Sequence, residues 1–146
     1  LGGFKLVQSS EAGMLSEVQR SARQKKWIVF WGWDPHPMNL QMKLTYLTGG
    51  DAIFGANFGE AKVFTLTAND YLERCPNSGK LINNLEFNTE MESHLMADIM
   101  DKTKPDEAAK KYLKKNPQVL NKWLDGVKTF DGKDGLTAVK TYLEKS

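Results

Sequence analysis

The feature that most limits the possible folds of this chain is an aromatic run that ends in two prolines, WIVFWGWDPHP, at residues 27–37. It holds three tryptophans within seven residues, and its apolar part stops where Asp34 and Pro35 follow. Seven apolar residues are the length of a strand and far short of the roughly 20 that cross a bilayer. We therefore predict a buried strand that carries aromatic rings to the edge of a cleft.

A short strand and a helix precede this run. The strand is FKLV at residues 4–7, and the helix follows in SSEAGMLSEVQRSARQKK, with Ser9 or Ser10 as its N-cap. Strand, helix and strand in so few residues are typical of a βαβ crossover in a parallel sheet, which binds ligands at the carboxyl ends of its strands. The predicted fold class is α/β, and the end of the Trp-rich strand is such an edge.

The rest of the chain changes from loop to strand to helices. Residues 34–61 form a long irregular region with TGGDAIFGANFGE, which matches no phosphate loop, and AKVFTLT at 61–67 alternates as a strand does. Pro76 starts a short helix after a turn. From Thr89 onward the pattern predicts helices, in TEMESHLMADIMDK, PDEAAKKYLKKN, PQVLNKWLDGV and GLTAVKTYLEK.

Composition and motifs exclude several classes of function. The 20 Lys and Arg against 18 Asp and Glu give a net charge of +2, too mild to indicate a nucleic-acid partner. His36 and His94 are the only histidines and Cys75 is the only cysteine, and none lies in a metal-ligand or nucleophile motif. Carboxylates such as Asp98 and Asp101 lie on Lys-rich helices, which is typical of a salt-bridged surface. We predict no metal, no cofactor and no catalytic residue.

The tryptophans are then the candidates for a binding site. In a strand, side chains alternate between two faces. One face would carry Trp27, Val29, Trp31 and Trp33, and the other Ile28, Phe30 and Gly32. We expect Trp27 to be core, whereas Trp33 ends the strand beside Gly32 and can face a ligand. An indole face suits a quaternary ammonium ion, which is recognised mainly by cation–π attraction of about 0.5 to 2 kcal/mol per ring.

Three stretches of the sequence resemble one known family. They are FWGWDPHPMN at residues 30–39, LTYLTGGDAIFGANFGEAKVFTLT at 44–67 and RCPNSGKLINNLEF at 74–87. These stretches resemble the substrate-binding proteins of ABC transporters for glycine betaine, choline and related compounds, and most closely the choline-binding branch. The resemblance covers essentially the whole chain, and the run from Gly32 to Asn39 is its most specific part.

The resemblance implies a periplasmic-binding-protein-like (type II) fold, in which two α/β lobes close on the ligand with an aromatic cage. It implies that Trp33 is a cage member and that His36, which helps to bind the carboxylate in some betaine-binding relatives, is a secondary ligand-binding candidate. A turn role for His36, hydrogen-bonded to backbone between two prolines, is equally open. Trp31 stands where relatives commonly have an aliphatic residue, and no role is carried onto it.

The resemblance also implies that this chain, which begins with Leu1 rather than Met, is the C-terminal half of such a protein. Residues 1–47 would be the second half of lobe II, with the βαβ unit, and residues 48–146 the returning second half of lobe I, with the C-terminal helices. Cys75 would pair with a cysteine near the mature N-terminus, which implies a periplasmic or other extracytoplasmic compartment. The implied partners are an ABC transporter permease and either the N-terminal half or a second copy of the chain.

The predicted function is to capture choline first, or glycine betaine second, for an ABC importer, without catalysis. The alternative is a non-catalytic scaffold or interaction domain in which the Trp-rich strand is only core, and an enzyme comes third. The choice among choline, glycine betaine and carnitine stays open, because it depends on the half that the resemblance places outside this chain.

Overall fold

The structure is a computed structural model that describes residues 3–145. Within this range the chain divides between Asp34 and Pro35 into two compact units, which are taken here one at a time. The outer ends of the two predicted domains, Leu1 and Ser146, lie outside the described residues. The predicted boundary near residue 47 stays a prediction.

The first unit contains one helix, α1 (Glu11–Arg23). The Ser10 hydroxyl accepts a hydrogen bond from the backbone N–H of Gly13 at 3.2 Å, so the second of the two candidate N-caps is the one used. Glu11 in the first turn and Arg23 in the last have the charges that the helix dipole favours. Val18 is buried on the covered face of α1. The predicted helix is confirmed.

The three predicted strands, at residues 4–7, 27–33 and 61–67, are not formed in the described part of the chain. These segments carry no strand pairing, and the β-structure of residues 3–145 is one isolated antiparallel bridge between Lys128 and Asp134. The physical reason is that an extended segment becomes a strand only when a neighbouring backbone supplies its hydrogen bonds. Within residues 3–145 the α/β prediction is therefore confirmed for its helices and not for its strands.

The second unit begins with short helical turns. Where the sequence predicts an irregular region lie α2 (Met38–Gln41), α3 (Asp51–Phe54) and α4 (Ala56–Gly59), and α5 (Tyr71–Arg74) lies at the predicted turn before Pro76. In α4 the φ angles of Asn57 and Phe58 are 54° and 61°, so this segment is a left-handed turn rather than a right-handed helix.

Longer helices follow, as the sequence predicts. They are α6 (Pro76–Asn84), α7 (Thr89–Met100), α8 (Pro105–Lys115), α9 (Gln118–Trp123) and α10 (Gly135–Lys145). Pro76 and Pro105 start α6 and α8, where the missing N–H of proline costs no helical hydrogen bond. Asn88 caps α7 by accepting from the N–H of Met91 at 2.9 Å. Asp134 precedes α10 and accepts from the Thr137 N–H at 2.8 Å.

The main hydrophobic core of the second unit lies among these C-terminal helices. Its buried members are Leu120, Leu124, Val127 and Leu143. Partly buried side chains from α6, α8, α9 and α10 pack around them: Leu81, Leu113, Trp123, Leu136 and Val139. The core therefore joins helices that are distant in sequence.

Two asparagines of α6 attach that helix to the end of α9 and the loop that follows it. Asn77 makes a reciprocal pair with the backbone of Lys128: its Nδ2 donates to the carbonyl at 2.7 Å, and its Oδ1 accepts from the N–H at 2.8 Å. Asn84 Nδ2 donates to the carbonyls of Trp123 and Asp125 at 3.2 and 3.1 Å. These side chains satisfy backbone groups that α9 and the following loop leave open.

We expect Trp123→Ala to destabilise the second unit. The indole packs against the core, lies 5.1 Å from the Phe87 ring between centroids, and donates from Nε1 to the Glu86 carbonyl at 3.2 Å. A fully buried Trp→Ala change costs about 3 to 5 kcal/mol, so a partly buried one should cost about 2 to 3 kcal/mol. Urea unfolding followed by helical circular dichroism measures this cost.

The matched control is Trp27→Ala, because Trp27 is 98% exposed. It should change the free energy of unfolding by less than about 0.5 kcal/mol. Equal effects of the two substitutions would contradict the assignment of Trp123 to the core.

Candidate functional site

Side chains of the Trp-rich segment alternate between exposed and half-buried positions. Ile28, Phe30 and Gly32 are half-buried, whereas Trp31 and the other odd-numbered residues are exposed. The predicted two faces are thus present although no strand forms. The expectation that Trp27 is core is wrong within residues 3–145, because its side chain is 98% exposed.

Trp33 is the least exposed of the three tryptophans in this run. Its exposed fraction is 38%, against 65% for Trp31. The indole at the end of the segment is therefore partly sheltered and partly open, which is the condition that a ring needs to contact a ligand while being held in place. Contact of Trp33 with a ligand stays a prediction.

His36 has a defined structural role in the turn after the aromatic run. Its side chain is buried, and Nδ1 accepts a hydrogen bond from the backbone N–H of Met38 at 3.1 Å. The His36 carbonyl accepts from the N–H of Asn39 at 3.0 Å, so His36 holds the start of α2 at two points. An Nδ1 that accepts carries no proton, which places the proton of the neutral ring on Nε2 as a donor.

A second group of aromatic rings lies in the second unit, and the sequence analysis did not single it out. Tyr46 donates from its hydroxyl to Asn39 Oδ1 at 3.1 Å, and its ring centroid lies 6.0 Å from that of Phe58. Asn39 belongs to α2, so this hydrogen bond joins the PHPMN turn to the Gly-rich region. The sequence feature that could have indicated this group is the presence of Tyr and Phe in a stretch rich in glycine.

Other titratable residues have separate surroundings. Asp98 of α7 forms a salt bridge of 2.6 Å with Lys111 of α8, as expected for a carboxylate on a Lys-rich surface. His94 faces the ring of Tyr112 at 6.4 Å between centroids, and Cys75 is a free, half-buried thiol. Within residues 3–145 no group of three or more His, Cys, Asp or Glu side chains is arranged to hold a metal ion.

A cavity of about 430 Å³ opens between α8, α9 and α10. Its lining is Leu113, Lys114, Pro117, Leu120, Lys140, Leu143 and Glu144. No aromatic ring faces it, so this cavity lacks the surface that attracts a quaternary ammonium ion.

Among the described helices, none has the length and apolar character needed to span a bilayer.

Comparison with known proteins identifies the relatives of this sequence. The family model for the substrate binding domain of ABC-type glycine betaine transport system matches residues 1–115. The glycine betaine/carnitine transport binding protein GbuC of Listeria monocytogenes serotype 1/2a (strain 10403S) is 33% identical over 129 residues, which are 88% of this chain and 42% of the relative.

Two solved structures are similar over 97% of this chain. One is an ABC-transporter choline binding protein in complex with choline, with 51% identity and a TM-score of 0.69, of which this chain covers 49%. The other is an ABC-transporter choline binding protein in an unliganded semi-closed conformation, with 50% identity and a TM-score of 0.64, of which it covers 50%. The chain thus spans about half the length of the proteins that it matches.

We expect His36→Ala to destabilise the turn that leads into α2. Removing the imidazole leaves the buried N–H of Met38 without its acceptor, which costs about 1 to 3 kcal/mol. His36→Asn should recover most of this loss, since an Asn side-chain oxygen also accepts from the N–H two residues later. Urea unfolding measures both changes, and a His36→Ala chain as stable as the parent would contradict the turn role.

Proposed function

Because this chain belongs to the family of substrate-binding domains of ABC-type glycine betaine transport systems, we propose that it forms part of the solute-binding component of an importer for a trimethylammonium compound. The ligand proposed first is choline, and the second is glycine betaine. The observation that carries this proposal is the 51% identity, over 97% of the chain, to a choline binding protein solved with choline. The family is one of binding domains for transport, and the proposed role has no catalytic step.

The chemistry of the ligand fits the exposed end of the Trp-rich segment. A trimethylammonium group has no hydrogen-bond donor, so a protein holds it by surrounding it with the negative faces of aromatic rings. Trp33 is proposed as one such ring, since it lies at the end of the segment and is partly open. The complete cage would need further rings from outside the Trp-rich segment.

His36 is proposed as a secondary contact, which would matter for glycine betaine more than for choline. Its Nδ1 is engaged by Met38, so Nε2 is the atom that carries the proton. An N–H donor suits the carboxylate of glycine betaine, and choline has no carboxylate. The observed hydrogen bond supports a positioning role for His36 in the turn, and a ligand contact would be additional to it.

We further propose the two-lobed, type II binding-protein fold for the whole protein, with this chain as its C-terminal half. Two values from the comparison with the choline-bound protein support this fold: the TM-score is 0.69, and this chain covers 49% of that protein. Residues 1–47 would then belong to lobe II and residues 48–146 to lobe I. The same proposal has three further parts. The protein works with the permease of the transporter, it lies outside the cytoplasm, and Cys75 pairs with a cysteine of the other half.

A fusion protein tests the proposed function directly. In this fusion, residues 1–146 follow the half of the choline binding protein that this chain does not match. The chain then supplies its own side of the site. We expect this fusion to bind choline with a change in tryptophan fluorescence. The scaffold alternative predicts no choline-dependent change, and that result would refute the proposed function.

Within this fusion, we expect Trp33→Ala to weaken choline binding on the order of 30-fold, because a lost cage wall is worth about 2 kcal/mol. Trp33→Phe should retain part of the affinity, since an aromatic face remains. The melting temperature should change little, because the ring is partly exposed. Trp27→Ala is the control with unchanged affinity, and a Trp33→Ala fusion that binds as tightly as its parent would remove Trp33 from the cage.

We expect residues 1–146 alone to bind choline weakly or not at all. A cage that draws rings from two lobes loses both opposing rings and preorganisation when one side is absent. Isothermal titration calorimetry of the isolated chain should show no saturable binding at micromolar choline. Micromolar affinity in this measurement would contradict the shared cage.

A further inference from the structure

Three Asp–Gly pairs lie between the end of α9 and the first residue of α10. They are Asp125–Gly126, Asp131–Gly132 and Asp134–Gly135. In such a pair the backbone nitrogen of glycine attacks the aspartate side chain more readily than in other pairs, because glycine has no Cβ to obstruct the approach. The three pairs share this chemistry, so their surroundings in the folded chain decide which of them reacts.

The reaction converts aspartate to isoaspartate. The glycine nitrogen forms a bond to the aspartate Cγ, and the protonated carboxyl group loses its OH as water together with the N–H proton, which leaves a cyclic succinimide. Water then adds to the former main-chain carbonyl carbon and breaks its bond to the glycine nitrogen. The main chain now passes through Cβ and Cγ and is longer by a methylene. Water is the only other reactant.

The Asp131–Gly132 pair is held on both sides. The Gly132 N–H donates to the Thr129 carbonyl at 3.0 Å. The Asp131 carboxylate accepts from the Thr129 hydroxyl at 2.5 Å and forms a salt bridge of 2.6 Å with Lys133. The hydrogen bonds from Lys133 and Thr129 lower the pKa of Asp131, and the charged form does not lose water. Both reacting groups of this pair are therefore restrained.

The Asp134–Gly135 pair is held in the same way. The buried Gly135 donates its N–H to the Val127 carbonyl at 3.0 Å. Asp134 Oδ1 accepts from the N–H and the hydroxyl of Thr137 at 2.8 and 2.7 Å, as the cap of α10. These hydrogen bonds lower the pKa of Asp134. Reaction at this pair would require the start of α10 to open.

The Asp125–Gly126 pair has neither restraint. Both residues are exposed. In the part of the chain that the structure describes, the Gly126 N–H donates to no other backbone group, and the Asp125 carboxylate accepts no hydrogen bond and forms no ion pair. The nitrogen and the carboxyl group of this pair are thus available to each other without any loss of structure.

Lys80 of α6 brings a positive charge to the same pair. A Cβ built on Gly126 would contact Lys80 Nζ, so the ammonium group lies against the α-carbon of Gly126. A cation beside an amide stabilises the negative charge that develops on the attacking nitrogen. Lys80 is exposed, so water and salt screen this attraction and its effect on the rate should be modest.

We propose that Asp125 is a site of spontaneous modification, at which the folded chain forms isoaspartate. The site lies between the core residues Leu124 and Val127, and its carbonyl accepts from Asn84 Nδ2 at 3.1 Å. The added methylene changes the spacing of the two core residues, and the carbonyl held by Asn84 becomes a free carboxylate. Modification therefore loosens the attachment of α6 to the end of α9. No ligand takes part, so this site goes beyond the proposed function.

Tryptic digestion separates the three pairs, because cleavage after lysine gives the peptides 123–128, 129–133 and 134–140. The chain of residues 1–146 is incubated at neutral pH, one sample folded and one unfolded in guanidinium chloride, until the unfolded sample contains isoaspartate. Mass spectrometry with electron-transfer fragmentation identifies isoaspartate by cleavage of its Cα–Cβ bond. In the folded sample we expect isoaspartate to accumulate at Asp125 at least about ten-fold faster than at Asp131 or Asp134.

The unfolded sample is the matched control, since its three pairs have lost their surroundings and should react at rates within about three-fold of one another. A folded chain in which Asp131 or Asp134 reacts as fast as Asp125 would overturn the proposal. So would a folded chain without isoaspartate at Asp125. An advantage of Asp125 that is equally large in guanidinium chloride would show that the neighbouring sequence is its cause, and would overturn the structural assignment.

Two variants test the parts of the site. Asp125→Glu keeps the charge but cannot close the succinimide, so its peptide 123–128 should contain no isoaspartate. Lys80→Gln should slow the reaction at Asp125 about two- to five-fold and leave Asp131 unchanged, and an unchanged rate at Asp125 would remove Lys80 from the site. Gly126→Ala is unsuitable, because Gly126 has a φ of 63° and a Cβ there would meet Lys80.

The structural effect of the modification has its own measurement. The isoaspartate form is purified by chromatography and compared in urea unfolding with the Asp125→Glu chain incubated in parallel. We expect the isoaspartate form to unfold at a lower urea concentration, since its core residues are displaced. Equal unfolding midpoints would overturn the loosening of α6. None of these measurements uses choline, so their outcome is independent of whether the fusion binds it.

Discussion

A helix forms its hydrogen bonds within itself, whereas a strand depends on another backbone, and this difference governs how the chain is organised. The helices from α6 to α10 need only side-chain packing, and Leu120, Leu124 and their neighbours provide it. The extended segments need both a neighbouring strand and a covering layer. Within residues 3–145 these segments have no strand pairing and most of their large apolar side chains are exposed, whereas apolar side chains of the C-terminal helices form a core.

The same difference explains which parts of the fold could be predicted from the sequence. Helix starts are local signals: Ser10, Asn88 and the prolines at the starts of α6 and α8 act on backbone groups within a few residues. The alternation in residues 27–33 is local too, and its two faces are present in the structure. Strand pairing is not local. The residue pattern of a segment does not predict whether another backbone will lie beside that segment.

The candidate site was predictable to a similar extent. The aromatic run and the position of Trp33 at its end follow from the sequence, as does a choice between two roles for His36. The structure adds the acceptor role of His36 Nδ1 and the bond from Tyr46 to Asn39, which depend on how a turn folds back. Periodicity does not encode such contacts. The identity of the ligand rests on relatives rather than on geometry, because the rings of a cage come from distant parts of a fold.

The position of the hydrophobic core near the C-terminal end has a consequence for synthesis on the ribosome. The Trp-rich segment is synthesised before the C-terminal helices, and Leu143, which completes the core, is added 110 residues after Trp33. At the usual rates of translation this delay is roughly 5 to 20 seconds. During that time the C-terminal core of the nascent chain is incomplete, so the packing of α8, α9 and α10 can stabilise the chain only when synthesis of these residues is nearly finished.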